Sequence, residues 1–320
     1  MSRSTDLLLT AVAPAIWGST YVVTTLMLPQ GYPLTVAMLR ALPAGILLLL
    51  AVRQLPQGIW WLRAFVLGAL NFSVFWALLF VAAYRLPGGV AATLGAIQPL
   101  VVILLARALL GSPVRGLAVL AALAGIGGVA LLVLGPKAAL DPVGVAAGLF
   151  SAASMALGTV LSRRWQPPVS ALTFTSWQLT AGGVLLLPAA LLAEPALPPV
   201  TALNVLGIAY LGLIGAALTY VIWFRGIARL EPAVVSSLGF LSPVTAVLLG
   251  WALLDQRLSA AQMAGMVIVV GSVWLSQHVQ RRAAASATAS AAASAAAVPA
   301  GSPQTCAPAA IRGARADKAG

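Results

Sequence analysis

Apolar runs recur along the chain with short polar breaks between them, and their length decides the element type. They cover approximately 7–28, 33–52, 62–83, 88–110, 115–135, 143–162, 170–192, 201–223, 233–254 and 260–277. A helix of about 20 apolar residues spans a bilayer. The runs are too long and too uniformly apolar for barrel strands, which alternate, and an open sheet edge cannot be satisfied in lipid. The breaks carry the expected punctuation: Pro29-Gln30-Gly31, Arg53-Gln54-Leu55-Pro56, Pro87-Gly88-Gly89, Gly111-Ser112-Pro113, Pro167-Pro168, Pro195 and Pro198-Pro199. The pattern predicts an all-α membrane protein with ten transmembrane helices. The first run shows no small-residue cleavage site, so a retained span is expected rather than a signal peptide.

The spans repeat. Arg85-Leu86, Val90, Leu94-Gly95 and Pro99 match Arg229-Leu230, Val234, Leu238-Gly239 and Pro243 at an offset of 144 (243 − 99 = 144). Earlier in the unit, Arg40 and Ala44 to Leu48 parallel Gln178 and Gly182 to Leu186 at an offset of 138 (178 − 40 = 138). A five-span unit crosses the membrane an odd number of times, so the second copy is expected upside down. The predicted architecture is therefore two inverted five-helix repeats, 7–135 and 143–277, as in alternating-access transporters. Residues 1–6 are expected as a cytoplasmic N-terminus. Residues 283–320, rich in Ala, Ser and Thr, are expected as a disordered cytoplasmic tail, with a weak Ala-rich helix up to Val298 as the alternative.

Composition agrees with this reading. Of 320 residues, 61% are hydrophobic and 8% charged, against about 25% charged in a soluble domain. The +12 charge does not point to nucleic acid, because the arginines sit singly or in pairs between apolar runs. With the N-terminus inside, the inner ends hold Arg3, Arg53, Arg63, Arg107, Arg115, Arg163, Arg164, Arg225, Arg229, Arg281 and Arg282. The outer ends hold Arg85, Lys137 and Arg257. This bias places both termini in the cytoplasm, in a multi-pass protein of the inner membrane. It also agrees with inversion, since Arg85 falls outside and its counterpart Arg229 inside.

These features resemble a known family. Trp17-Gly18-Ser19 in span one, Arg40 in span two, Gln98-Pro99 in span four, Ser242-Pro243 in span nine and Asp255 after it are similar to the drug/metabolite transporter superfamily. Within that superfamily the chain resembles the ten-helix EamA-type permeases over about residues 7–277. The resemblance implies a central cavity lined by spans 1–4 and 6–9 and a small exported metabolite such as an amino acid, pigment or drug-like compound. The chain departs from many members by carrying Asp255 where they carry a glutamate.

Several residues are candidates for the substrate pathway. Arg40 is read as the only ionisable residue well inside a span, where charge is costly. It can serve as a counter-charge, snorkel to headgroups, or hold backbone carbonyls of a neighbouring helix. Its counterpart Gln178 is neutral. Pro99 and Pro243 are expected to kink spans four and nine mid-membrane, with Gln98 and Ser242 beside them. Asn71 and Trp76 in span three, Tyr220 and Trp223 in span eight, and Trp17 in span one complete the set. Trp76 and Tyr220 are equivalent in the repeat (220 − 76 = 144). Glycines 125, 127 and 128 in span five and 265 and 271 in span ten suit close helix packing, and a homodimer through these spans remains open.

What is missing narrows the class. There is no phosphate-binding Gly-x-x-x-x-Gly-Lys-Ser/Thr loop, no His-Glu-x-x-His and no Gly-x-Ser-x-Gly. One Cys and one His leave little for metal or thiolate chemistry. No cofactor and no enzyme activity are expected. The acidic residues are read as lying at span ends, so Asp255 and Glu231 are the candidates for ion coupling. The expected function is a secondary transporter of a small molecule in the lipid bilayer. An importer or facilitator of the same fold, or a non-transporting scaffold, is the alternative.

Overall fold

The computed structural model describes residues 3–85, 94–133, 141–253 and 259–296, with the backbone alone for Tyr21, 83–84, 133 and 280–296. Asp255 lies outside the described residues. The fold is all-helical among those described. Helix α1 (Arg3–Gly18) breaks at Ser19 before α2 (Thr20–Met27), and α3 follows (Pro33–Val52). Helix α4 (Trp60–Gly68) passes through a π-helical turn (Ala69–Ser73) into α5 (Val74–Arg85). Then come α6 (Gln98–Leu110), α7 (Gly116–Val133), α8 (Pro142–Arg164) and α9 (Ala171–Ala193). Helix α10 (Ala202–Ala209) passes through a second π-helical segment (Tyr210–Leu218) into α11 (Thr219–Arg229). The last are α12 (Pro232–Leu238), α13 (Leu241–Leu253) and α14 (Ala260–Ala296). Among the described residues, eight helices are long and apolar enough to cross a membrane, and two more apolar helices are shorter.

The two π-helical segments occupy corresponding places. Adding the repeat offset of 144 to 69–73 gives 213–217, inside Tyr210–Leu218. Such turns carry an extra residue and often mark functional positions.

The prolines do something other than expected. Instead of kinking continuous helices, they stand in the first turn of helices that follow a break. Gln98 and Pro99 open α6, and Pro243 is the third residue of α13. The breaks are tight three-residue turns. The N–H of Ile97 bonds to Leu94 O and that of Leu100 to Ile97 O; Phe240 N–H bonds to Ser237 O and Ser242 N–H to Gly239 O. A proline lacks the N–H but is tolerated in a first turn, where that donor has no intrahelical partner.

From 283, where a disordered tail is expected, α14 continues as helix to Ala296. Alanine has the highest helix propensity, which explains the continuation. The compact unit that holds the candidate site ends at Gln280, and a second begins at Arg281.

Small residues bring the central helices together. On α3, Ala37, Ala41, Ala44 and Gly45 form a buried stripe. A Cβ on Gly45 would stand 2.5 Å from Thr180 N, and one on Gly183 2.6 Å from Leu42 Cα. Helices α3 and α9 therefore touch backbone to backbone, which in lipid replaces the hydrophobic driving force with close packing. Gly128 and Gly265 do the same between α7 and α14.

Polar contacts at helix ends fall into two groups. In one, Asp6 meets Arg225 and Arg229, and Arg163 donates to the carbonyls of Ile227 and Ala228. The same group holds Arg63 over the rings of Trp60 and Trp165, and the Arg115–Glu231 pair. In the other, Glu194 accepts the N–H groups of Leu34 and Thr35, Asn204 donates to Met27 O, and Arg85 faces Asp141. The α1–α2 run, the α4–α5 run, α8 and the α10–α11 run each have one end in the first group and the other end in the second.

Candidate functional site

The interior is built around aromatic rings from both repeats. Trp17 of α1 lies 4.9 Å from Tyr220 and 5.0 Å from Trp223, ring centre to ring centre. Phe72, in the first π-turn, is 4.6 Å from Tyr220 and 5.4 Å from Trp76. Trp76 and Tyr220, the repeat-equivalent pair, come within 6.5 Å of each other. Phe224 closes the group at 5.9 Å from Tyr220. The rings meet tilted or edge to face, the arrangement their quadrupoles favour. Trp76, Tyr220 and Trp223 are all nearly buried, so the rings fill the centre in this conformation.

Sequence spacing explains the cluster. Phe72 and Trp76 are four apart, as are Tyr220 and Phe224, so each pair projects from one face of its helix. Phe72 and Phe224 were not among the expected pathway residues, although this spacing carries the signal.

Two polar elements enter the aromatic group. The Trp17 indole N–H donates to Thr219 Oγ1 at 2.9 Å, and that hydroxyl donates to Gly215 O at 2.9 Å. Arg40 donates through Nη2 to the same Gly215 carbonyl at 2.6 Å. Its guanidinium carbon lies 5.0 Å from the Trp76 ring centre, within cation–π range. Of the three roles considered for Arg40, this conformation shows the hold on a neighbouring helix. Gly215 lies in the second π-helical segment, where the widened turn offers its carbonyl to side chains. Just beyond, the hydroxyls of Ser19 and Tyr210 are 2.7 Å apart.

Asn71 and Gln178 form a second, fully buried site behind the rings. Asn71 Nδ2 donates to Gln178 Oε1 at 2.8 Å and to Ser162 Oγ at 3.3 Å. This ties the π-turn to α9 and α8. Gly158 makes room for it, since a Cβ there would come within 2.1 Å of Asn71 Oδ1.

The two helix breaks contribute to one apolar cluster. Ala96 and Phe240, one from each break, are buried in the same apolar cluster with Val129, Val244 and Val269. Gln98 is half-buried and Pro99 buried at the start of α6; Ser242 and Pro243 are half-buried in α13. A Cβ on Gly18 would lie 2.6 Å from Ser242 O, so the α13 start abuts α1 one residue past Trp17. Glu231 stands apart, exposed and paired with Arg115 at 3.2 Å beside a small surface cleft.

The arrangement offers ring faces, one fixed cation and several hydroxyl and N–H donors, the chemistry of a ligand pocket for a small organic molecule. Among the described residues, no three His, Cys, Asp or Glu side chains gather to hold a metal.

Comparison with known proteins bears on this site. A sequence model described as the EamA-like transporter family matches residues 5–134 and again 142–277. Protein PecM of Dickeya dadantii (strain 3937) is 48% identical over 269 residues, covering 83% of this chain and 90% of PecM. The uncharacterized inner membrane transporter YedA of Escherichia coli (strain K12) is 32% identical over 267 residues, covering 81% and 86%. A solved crystal structure of a protein aligns with a TM-score of 0.77 at 23% identity, over 88% of this chain and 99% of that one. That last likeness concerns the fold alone.

Proposed function

The chain belongs to the EamA-like transporter family, and from that premise we propose that it exports a small metabolite across the inner membrane by alternating access. In this reading ten helices form two inverted five-helix repeats that rock about a central site. Two matches of one family model support the duplication. The opposite placement of equivalent residues supports the inversion: Arg85 pairs in one group of helix ends, and Arg229 in the other. The excess of arginine in the group that contains Asp6 supports a cytoplasmic location for that face and for the N-terminus.

One observation carries the site assignment. Trp76 and Tyr220 hold the same place in the two repeats and meet in the middle, with Trp17 and Arg40 around them. A pathway on the pseudo-symmetry axis requires that kind of meeting. Gln98, Pro99, Ser242 and Pro243, at breaks that share an apolar cluster, form its floor. The Asn71–Gln178 pair holds its wall. Asp255 and Glu231 remain the candidates for coupling to an ion gradient.

The test is flux. Purified protein in sealed vesicles is given a panel of labelled amino acids, pigments and aromatic drug-like compounds, with and without a proton gradient. At least one compound should move faster than in protein-free vesicles, and Trp76→Ala and Gln98→Ala should each slow it while the protein stays folded. Unchanged flux in both variants would remove the central cluster from the pathway.

A further inference from the structure

Two ion pairs link the repeats crosswise. Arg85 and Arg229 are equivalent (229 − 85 = 144). Each stands at the end of a helix that follows a π-helical segment, α5 and α11. Asp6 and Asp141 stand at the start of the first helix of each repeat, α1 and α8. Arg229 reaches Asp6, and Arg85 faces Asp141. Each bridge therefore pins the first helix of one repeat to the third span of the other.

The two bridges differ in build. The Asp6 side chain is only 10% exposed, and its Oδ1 takes Arg225 at 2.6 Å as well as Arg229 at 3.4 Å. Along the same seam, Thr10 presses on Gly226, where a Cβ would lie 2.4 Å from the Thr10 hydroxyl oxygen. Then comes the Trp17–Thr219 hydrogen bond, at the aromatic cluster itself. Arg163 holds the carbonyls at the end of α11, so that end is anchored from α8. Pro14 lies within α1 and the break at Ser19 ends it, which leaves α1 as the arm able to move. At the other bridge, Arg85 and Asp141 are 50% and 38% exposed and 3.7 Å apart, beyond hydrogen-bond length. Asp141 Oδ1 is already engaged by the Gly144 N–H at 2.7 Å, capping α8.

We propose that these bridges are the two gates of the carrier, one on each membrane face, and that the Asp6 gate is the stronger. The carrier then rests closed at its Asp6 face and opens more readily at its Asp141 face. Placing the gates on opposite faces rests on the inverted reading above; their unequal strength does not. An exposed pair in water contributes little, and its loss leaves both groups hydrated. Arg225 and Arg229 share the nearly buried Asp6 carboxylate, so neutralising it removes both contacts at once and loosens the seam.

Two buried reporters test this in a Cys306→Ser background. Thr10→Cys reads the Asp6 seam. Ser151→Cys, whose native hydroxyl donates to Phe75 O, reads the Asp141 seam. A membrane-impermeant maleimide is applied to right-side-out and inside-out vesicles. Asp6→Asn should raise labelling at position 10 about tenfold, from one side only, and lower it at position 151. Asp141→Asn should raise labelling at position 151 less than about twofold, from the other side. Asp6→Glu should keep position 10 closed. Unchanged labelling at position 10 in Asp6→Asn, or an equal response to both substitutions, would overturn the proposal. A joint rise at both positions in Asp6→Asn would also overturn it, by making Asp6 a folding residue. Labelling of both reporters from the same side would reject the inverted reading while the contrast in strength is still read out.

Discussion

The seam between α1 and α11 and the seam between α8 and the α4–α5 helix occupy corresponding places in the two repeats, and they are made of different materials. The first is joined by rings and by an indole donating to a hydroxyl. The second is joined by small residues. Ser151 donates to Phe75 O and Ser154 to Leu70 O, each at 2.9 Å, and Gly158 lies directly against Asn71. Hydroxyl-to-carbonyl bonds at backbone distance hold helices in one register. Ring contacts are less particular, and a ligand's own ring can replace either partner. One duplicated frame thus holds a seam fixed in register along its length but weakly closed at its Asp141 end, and a seam whose ring contacts a ligand can take over once its Asp6 end is released.

The largest expected effect falls on the rigid seam. Gly158→Val drives a side chain into Asn71 and should cost about 3 kcal/mol, read as a lower thermal unfolding midpoint in detergent. An unchanged midpoint would mean the seam has slack, and the contrast with the aromatic side would collapse. Gln178→Leu comes next. It takes the acceptor from a buried amide and should cost about 2 kcal/mol. Adding Asn71→Leu should recover part of that loss, and simple addition of the two losses would show that the pair is not coupled.

On the aromatic seam, Trp17→Phe and Thr219→Val remove the two ends of one hydrogen bond. Each should cost about 1 kcal/mol, and the double variant should cost little more. Both should slow flux in the vesicle assay, whereas Gln178→Leu protein that remains folded should affect flux less. The smallest effect belongs to Ser154→Ala, at about 0.6 kcal/mol, the usual scale of a hydrogen bond between membrane helices. A larger loss there would place more of the rigidity in the serines than in the glycine contact.

The spans were legible because lipid forces each to be long and apolar, and the duplication because Pro99, Pro243 and their neighbours kept their spacing. That same offset picked out Trp76 and Tyr220, which the structure brings together. Local chemistry was read less well. A proline in an apolar run signals a disturbed helix, yet only the backbone shows that Pro99 and Pro243 open new helices after a break. The burial of Asp6 was not legible, because hydropathy sees one helix at a time. Its burial comes from Arg225 and Arg229, more than two hundred residues away in the chain. Asn71 and Gln178 each looked like a lone polar group facing a pathway, and their pairing depends on a contact between α9 and the π-turn that no local pattern encodes. The π-helical segments carry no proline, so nothing in the sequence announced them.

Those widened turns bear on how the chain tolerates changes in length. Removing one residue from an ordinary helix turns everything beyond it by about 100°. A π-turn already holds a surplus residue, so a single deletion within 210–218 can be absorbed by a return to α-helix. Gly207 would still face Leu28 on one side, and Trp223 would still face Trp17 on the other. What would vanish is the opened carbonyl of Gly215, and with it the ledge on which Arg40 rests. In this stretch the spacing of the flanking contacts and the chemistry at Gly215 are separable, and a shorter gene could keep the first while losing the second.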